Sequence, residues 1–324
     1  MTDNLWNELF TVHVGDAIGV LRGIDAASID CIVTSPPYWG LRDYGMDNQL
    51  GLEPTFEQYL ARLVAVFAEC HRVLKPAGTM WVNMGDSYSS GGKSGGGGGG
   101  ENSRSILGGY HRTSRYGQPP IKNLIGQPWR LAFALQDAGW ILRSDIIWAK
   151  PNAMPESVKD RPTRAHEYIF LFTKSQRYWY DAAAIAEPRR QRPKVDHGGK
   201  NSRFRTNHCP HNSSPQPANS RSLALCDTRN ARTVWEIVTR PYTGAHFATF
   251  PEEIPRRCIS AGCPEGGVVL DPFAGSGTTL AAALQLGRKA IGIELNPEYV
   301  ELIHARVSQT TPSLFNGGDI RCLQ

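Results

Sequence analysis

Apolar runs of strand character alternate with stretches of helical spacing over most of this chain, and few folds accept that alternation. Residues 11–14 and 29–33 read as strands. Residues 56–74 then carry Leu60, Leu63, Val64, Phe67 and Leu74 at helical spacing and stop at Lys75-Pro76-Ala77-Gly78. Strands are expected over 79–84, 141–149 and 168–173, with a helix over 129–138 between them. Near the C-terminus come a helix over 250–260, a strand over 268–270, a helix over 278–286, a strand over 290–293 and a helix from Pro297. The pattern predicts a doubly wound α/β sheet, mostly parallel, with helices on both faces. In such sheets ligands lie in the crevice at the carboxyl ends of the strands.

Two strand ends carry runs suited to that place. Val268 to Leu270 is followed by Asp271-Pro272-Phe273-Ala274-Gly275-Ser276-Gly277-Thr278-Thr279, an acidic residue and a glycine turn opening a helix. Glycines there let backbone approach a ligand where a Cβ would clash. Asp271 and the N–H groups of the turn suit a zwitterionic amino-acid tail. The next strand ends in Glu294, placed to accept hydrogen bonds from ribose hydroxyls as acidic residues do in dinucleotide folds.

The other run is Thr34-Ser35-Pro36-Pro37-Tyr38-Trp39, after residues 29–33. Two prolines fix φ and remove N–H donors, so the segment is rigid and extended. The Ser35 hydroxyl and the Pro36 carbonyl are acceptors for the exocyclic amine of a nucleobase, and Tyr38 offers an aromatic face for its ring. Those contacts would aim the amine's lone pair at an electrophilic methyl group, with no covalent nucleophile and no metal. Such an amine is out of reach inside a duplex, so the base must be flipped. Trp39 is expected at the pocket rim, whereas Trp81, Trp129, Trp140, Trp148 and Trp235 fall in helix or strand patterns and are expected in the core.

The formal charge of +5 is unevenly spread. Arg189, Arg190, Arg192, Lys194, Arg203 and Arg205 open an arginine-rich stretch of low apolar content, the footprint of a polyanion. A glycine run over 95–100 reads as a flexible loop spanning about residues 87–118 and does not match a phosphate-binding loop. The seven cysteines are scattered, so no disulfide framework is expected. His208, Cys209, His211 and Cys226 lack a recognised zinc spacing, and no metal is assigned to them. No apolar stretch approaches the ~20 residues of a membrane span. The first ten residues lack a signal-peptide pattern, and a cytoplasmic location is expected.

Ser35-Pro36-Pro37-Tyr38 together with Asp271 to Thr278 resembles the two motifs of DNA amino-methyltransferases, the N4-cytosine and N6-adenine enzymes that use S-adenosylmethionine. The order, catalytic motif first and cofactor motif last with a basic region between, is similar to that of the β class. The resemblance implies a Rossmann-like class I methyltransferase fold with permuted motif order. It implies a catalytic half over 1–180, a target-recognition insertion over 181–231 and a cofactor half over 232–324. Ser35, Pro36, Pro37 and Tyr38 would be catalytic. Asp16, Phe250, Asp271, Phe273, Gly275, Ser276, Gly277, Thr278 and Glu294 would hold the cofactor, and the six basic residues above would bind double-stranded DNA. Arg161 to Tyr168 resembles a segment bordering the base pocket. Serine at the first catalytic position is typical of the N4-cytosine members, with adenine N6 as the alternative. A cognate restriction endonuclease is a possible companion. A catalytically silent DNA-binding protein, or a methyltransferase of RNA or protein, are the competing classes.

Overall fold

The computed structural model describes residues 9–41, 45–46, 48–89, 120–189, 228–239 and 250–310. Its strands are β1 (Phe10–Val14), β2 (Ile29–Thr34), β3 (Leu74–Met84), β4 (Ile141–Ala149), β5 (His166–Thr173), β6 (Glu187–Pro188), β7 (Thr228–Arg229), β8 (Val234–Glu236), β9 (Val268–Asp271) and β10 (Lys289–Glu294). The helices are α1 (Ala17–Arg22), α2 (Phe56–Val73), α3 (Gln127–Asp137), α4 (Glu253–Gly262), α5 (Thr278–Gln285) and α6 (Glu298–Thr310).

Eight strands form one sheet in the order β1-β10-β9-β2-β3-β5-β4-β8. Strand β5 runs antiparallel to both its neighbours, β3 and β4, and every other pairing is parallel. One buried cluster sits under α4, α5 and α6 on one face of the sheet. The other sits under α1, α2 and α3 on the opposite face. The expected doubly wound, mostly parallel sheet is therefore present.

The order reverses between β9 and β2. From β9 the chain passes through α5 to β10 on one side, and from β2 through α2 to β3 on the other. The two strands lie side by side, with Cys31 opposite Val269 and Ile32 opposite Leu270. A crevice opens at their carboxyl ends, the switch point where open α/β sheets bind ligands.

The α2–β3 junction departs from expectation. The helix ends at Val73, as its pattern predicts, but the chain turns extended at Leu74 and β3 begins there and not at residue 79. Pro76 is tolerated there because the β2–β3 register shifts between Ile29 and Cys31, and an irregularity is where a strand admits proline. Lys75 Nζ lies 2.8 Å from both Asp30 carboxylate oxygens, and Asp30 Oδ2 also accepts from the Val268 N–H at 2.9 Å. One carboxylate thus ties three neighbouring strands.

The α2 face that packs inward also differs slightly from its pattern. Phe56, Tyr59, Leu63, Val66, Phe67, Cys70 and Val73 are fully enclosed, whereas Leu60 and Val64 lie at the edge. Thr55 caps the helix by accepting from the Gln58 N–H at 3.2 Å. Trp81, Trp140, Trp148 and Trp235 are buried and Trp129 packs at the cluster margin, as their patterns suggest.

The basic stretch has an ordered base. Strands β6 and β7 pair antiparallel, Glu187 opposite Arg229, so the chain leaves and returns at one place. The Glu187 carboxylate takes Arg229 at 3.1 Å and Arg232 at 2.9 Å. One carboxylate thus offsets one of these two positive charges.

Candidate functional site

At the switch point the first turns after β2 and β9 are stapled together. The Thr34 hydroxyl donates to Asp271 Oδ1 at 2.6 Å, and the Phe273 N–H donates to the same oxygen at 3.1 Å. The Thr279 hydroxyl donates to the Val33 carbonyl at 3.3 Å. Burial pushes the Asp271 carboxyl up to about 6 against these hydrogen bonds, which favour its charge. Asp271 therefore spends one oxygen on holding the crevice, which narrows what it can offer a ligand.

The turn after Asp271 depends on its glycines. Gly275 and Gly277 have φ of +54° and +77°, the left-handed region. A Cβ on Gly277 would stand 2.9 Å from Ile303 Cγ2 of α6. Glu294, at the end of the neighbouring strand, accepts from the Gly275 N–H at 2.8 Å through one oxygen and from the Asn296 N–H at 2.9 Å through the other. Burial raises the Glu294 carboxyl to about 7. The carboxylate keeps accepting capacity for a further donor. Among the described residues the buried Ser276 hydroxyl has no hydrogen-bond partner, a cost that a bound polar group would remove. Across the opening, Asp16 caps α1 by accepting from the Gly19 N–H at 3.0 Å.

The turn after β2 is held from behind. The Tyr59 hydroxyl of α2 donates to the Pro37 carbonyl at 2.7 Å, while the Pro36 carbonyl has no hydrogen-bond partner among the described residues. Trp39 is not a rim residue. It is 3% exposed, its Nε1 donates to the Glu53 carbonyl at 2.9 Å, and its ring meets Phe56 edge-on at 5.6 Å. The indole anchors the turn in the core because Glu53 and Phe56 give it a polar and an apolar partner.

Ser35 and Tyr38 face the opening. Their hydroxyl oxygens lie 3.5 Å apart, and the Tyr38 hydroxyl donates to Glu167 Oε2 at 3.0 Å. Lys150 Nζ sits 2.5 Å from the other Glu167 oxygen and 4.2 Å from the Trp148 ring centroid. Burial, then the nearby Glu167 carboxylate, hold the Tyr38 phenol well above its usual range. The antiparallel β5 brings Glu167 here. Its position is fixed from both sides, with Glu167 opposite Trp148 of β4 and Tyr168 opposite Met84 at the end of β3.

These two turns share one cavity of about 600 Å³. Of the residues singled out in the sequence, Asp16, Ser35, Pro36, Pro37, Tyr38, Phe250, Asp271, Phe273, Gly275, Ser276, Thr278 and Glu294 line it. Gly277 shapes the turn from beneath, as the N-cap of α5. Arg164 and Glu167, from the 161–168 segment expected to border the base pocket, also line the cavity, as does Lys150, to which sequence reasoning gave no role. Arg189 is exposed at the foot of the basic stretch. Arg190, Arg192, Lys194, Arg203 and Arg205 lie outside the described residues, as do the 95–100 glycine run and the His208, Cys209, His211 and Cys226 set. Among the described residues no three His, Cys, Asp or Glu side chains are grouped to hold a metal, and no helix is long and apolar enough to cross a membrane.

A family model described as DNA methylase, that of the N6 and N4 amino-methyltransferases, matches residues 29–305. The chain belongs to this family. S-Adenosylmethionine is the cofactor that comes with it, and the orphaned Ser276 hydroxyl and the Glu294 lone pairs fit such a group. The methylase is 49% identical over 292 residues to the type II methyltransferase M.Cfr9I of Citrobacter freundii, covering 90% of this chain and 85% of the relative. It is 47% identical over 296 residues to the type II methyltransferase M.SmaI of Serratia marcescens, covering 91% and 90%. Among solved structures it is similar to a DNA modification methylase of Thermus thermophilus, determined with S-adenosyl-L-methionine, at 25% identity and a TM-score of 0.57 over 94% of this chain and 95% of that one. The PvuII DNA methyltransferase, cytosine-N4-specific, shares the fold at 18% identity and a TM-score of 0.62, over 96% and 94%. The methylase has the class I methyltransferase fold, and β2 with its Ser35 run comes before β9 with its Asp271 run in the chain while lying beside it in the sheet.

Proposed function

We propose that this methylase transfers a methyl group from S-adenosylmethionine to the exocyclic N4 amine of a cytosine flipped out of double-stranded DNA. The observation that carries the reading is the presence of the Ser35 hydroxyl in the same cavity as the turn from Asp271 to Thr278. The cofactor supplies an electrophilic methyl on a sulfonium, which needs only an aimed nitrogen lone pair. Ser35 Oγ and the Pro36 carbonyl accept the two amine hydrogens and fix the nitrogen, while Pro37 keeps the segment rigid and Tyr38 stacks on the ring. Glu294 accepts from ribose hydroxyls and Ser276 from a polar group of the cofactor. Asp16, Phe250, Phe273 and Thr278 complete its walls, and Asp271, Gly275 and Gly277 hold the turn in shape.

Arg189, Arg190, Arg192, Lys194, Arg203 and Arg205 contact DNA phosphates from a target-recognition insertion over 181–231, set between a catalytic half (1–180) and a cofactor half (232–324). Phosphate contacts of this kind position the duplex and leave sequence choice to base-edge contacts. Serine at position 35 favours cytosine, as in the N4-cytosine members that the motif resembles; adenine N6 is the second reading. The type II names of the relatives support a modification role beside a cognate restriction endonuclease.

The test is methyl transfer to DNA lacking prior methylation, followed by nucleoside analysis. N4-methylcytosine is expected. N6-methyladenine would replace the cytosine reading with the adenine one, and no transfer to DNA would overturn both.

A further inference from the structure

Glu167 makes both its contacts at the edge of the cavity, to the Tyr38 hydroxyl at 3.0 Å and to the Lys150 ammonium at 2.5 Å. A carboxylate only accepts hydrogen bonds, and an ammonium only donates them. The Tyr38 proton is therefore committed to Glu167. That leaves lone pairs alone on the Tyr38 oxygen, which also takes the Gly85 N–H, for its hydroxyl neighbour, Ser35 Oγ, 3.5 Å away. Any bond between the two must then run from Ser35 to Tyr38. A hydroxyl whose one proton is spent in this way has only lone pairs left for a third partner.

Direction matters for the reaction. An amine that donates to Ser35 keeps its nitrogen lone pair free to attack a methyl group. A Ser35 proton aimed at the same nitrogen would occupy that lone pair. From this geometry we infer that Glu167, anchored by Lys150, is a positioning residue that sets the hydrogen-bond direction Ser35 → Tyr38 → Glu167 and so keeps Ser35 an acceptor for the target amine. The inference rests on the amine-transfer reading above and adds residues which that reading leaves out. Gly85 belongs to the same device, since a Cβ there would lie 3.1 Å from both the Glu167 carboxyl carbon and Tyr38 Cε2.

The decisive variant is Glu167→Gln, which keeps size and shape. Lys150 draws the amide oxygen toward itself and leaves the NH2 group facing Tyr38, so the Tyr38 proton turns toward Ser35. Methyl-transfer kinetics on DNA should show kcat lowered on the order of tenfold, with KM for DNA and cofactor affinity unchanged. Adding Lys150→Met frees the amide to turn over and should recover most of that loss. Tyr38→Phe should also lower kcat, and Tyr38→Phe with Glu167→Gln should be no worse than Tyr38→Phe alone, because the second change acts only through the missing hydroxyl. Wild-type kcat in Glu167→Gln, no recovery on adding Lys150→Met, or losses that multiply in the Tyr38 double variant would each overturn the inference. Cofactor binding measured on every variant separates these results from misfolding. A wild-type protein that methylates no DNA would instead overturn the functional reading beneath.

Discussion

Ser35 and Glu294 are asked for different things, and their variants should fail differently. Ser35→Ala removes an acceptor that meets the reacting amine and, in the protein, only the Tyr38 hydroxyl among the described residues, so kcat should fall by about a hundredfold while cofactor affinity stays within about twofold of wild type. Stopped assays of methyl transfer, with calorimetry for the cofactor, would show it; full activity in Ser35→Ala would end the amine-orienting role. Glu294 gives a pH signature. Burial raises its carboxyl from 4.5 to about 7, so the folded chain holds a proton that the unfolded chain has lost. Stability therefore falls as pH rises through that window, and the cost is complete above 7. Ribose hydroxyls donating to the carboxylate favour its charged form, so cofactor binding should release a proton and tighten as pH rises. Between pH 6 and pH 8 the gain should be about tenfold if the bound state is wholly ionised. Asp271, raised to about 6, titrates lower and is common to wild type and Glu294→Gln. The difference between their pH profiles thus isolates Glu294, and identical slopes would show that its carboxylate does not meet the cofactor.

Among the elements, the α5 turn is the one whose conformation the sequence spelled out. Gly277 is left-handed and its missing Cβ makes room for Ile303, so Gly277→Ala should cost about 2 kcal/mol of stability from backbone alone, and more from the collision with α6. Thermal unfolding with and without cofactor would measure it, and an unchanged melting temperature would contradict the packing described. Strands β2, β9 and β10 were equally legible, because each is a short apolar run closed by a polar or glycine-rich turn. Three features were not. Trp39 follows Tyr38 in sequence, yet its burial is decided by Glu53 and Phe56, beyond any local pattern. The β6–β7 pair is two residues on each side and exists only through a long-range contact. Glu167 reaches Tyr38 because β5 is antiparallel in a mostly parallel sheet, and strand direction is not written in a run of apolar residues. What the sequence displays is chemistry at strand ends; what it hides is which ends the sheet brings together.

At the scale of the whole molecule, the cavity is built on the eight-stranded sheet, whereas the basic stretch leaves from the separate β6–β7 pair. The two turns that build the cavity follow β2 and β9, and β1, β4, β5 and β10 add Asp16, Lys150, Glu167 and Glu294 at or beside their ends. The basic stretch departs from β6 and returns at β7, whose pairing places its two ends side by side. A short turn joining Arg189 to Thr228 should therefore replace residues 190–227 without opening the sheet, because strand ends already paired need only a few connecting residues. If the insertion supplies the phosphate contacts, the shortened methylase should bind S-adenosylmethionine as the full chain does and lose nearly all methyl transfer to DNA. Its residual DNA affinity should also depend less steeply on salt, since removing cationic contacts lowers the number of counterions released. Single substitutions to alanine at Arg192, Arg203 or Arg205 should each reduce that slope by about one unit where the side chain meets a phosphate. Binding titrations at several salt concentrations would read both effects. A shortened chain that still methylates DNA at the full rate, with an unchanged salt slope, would move the DNA grip from the insertion to the cavity rim.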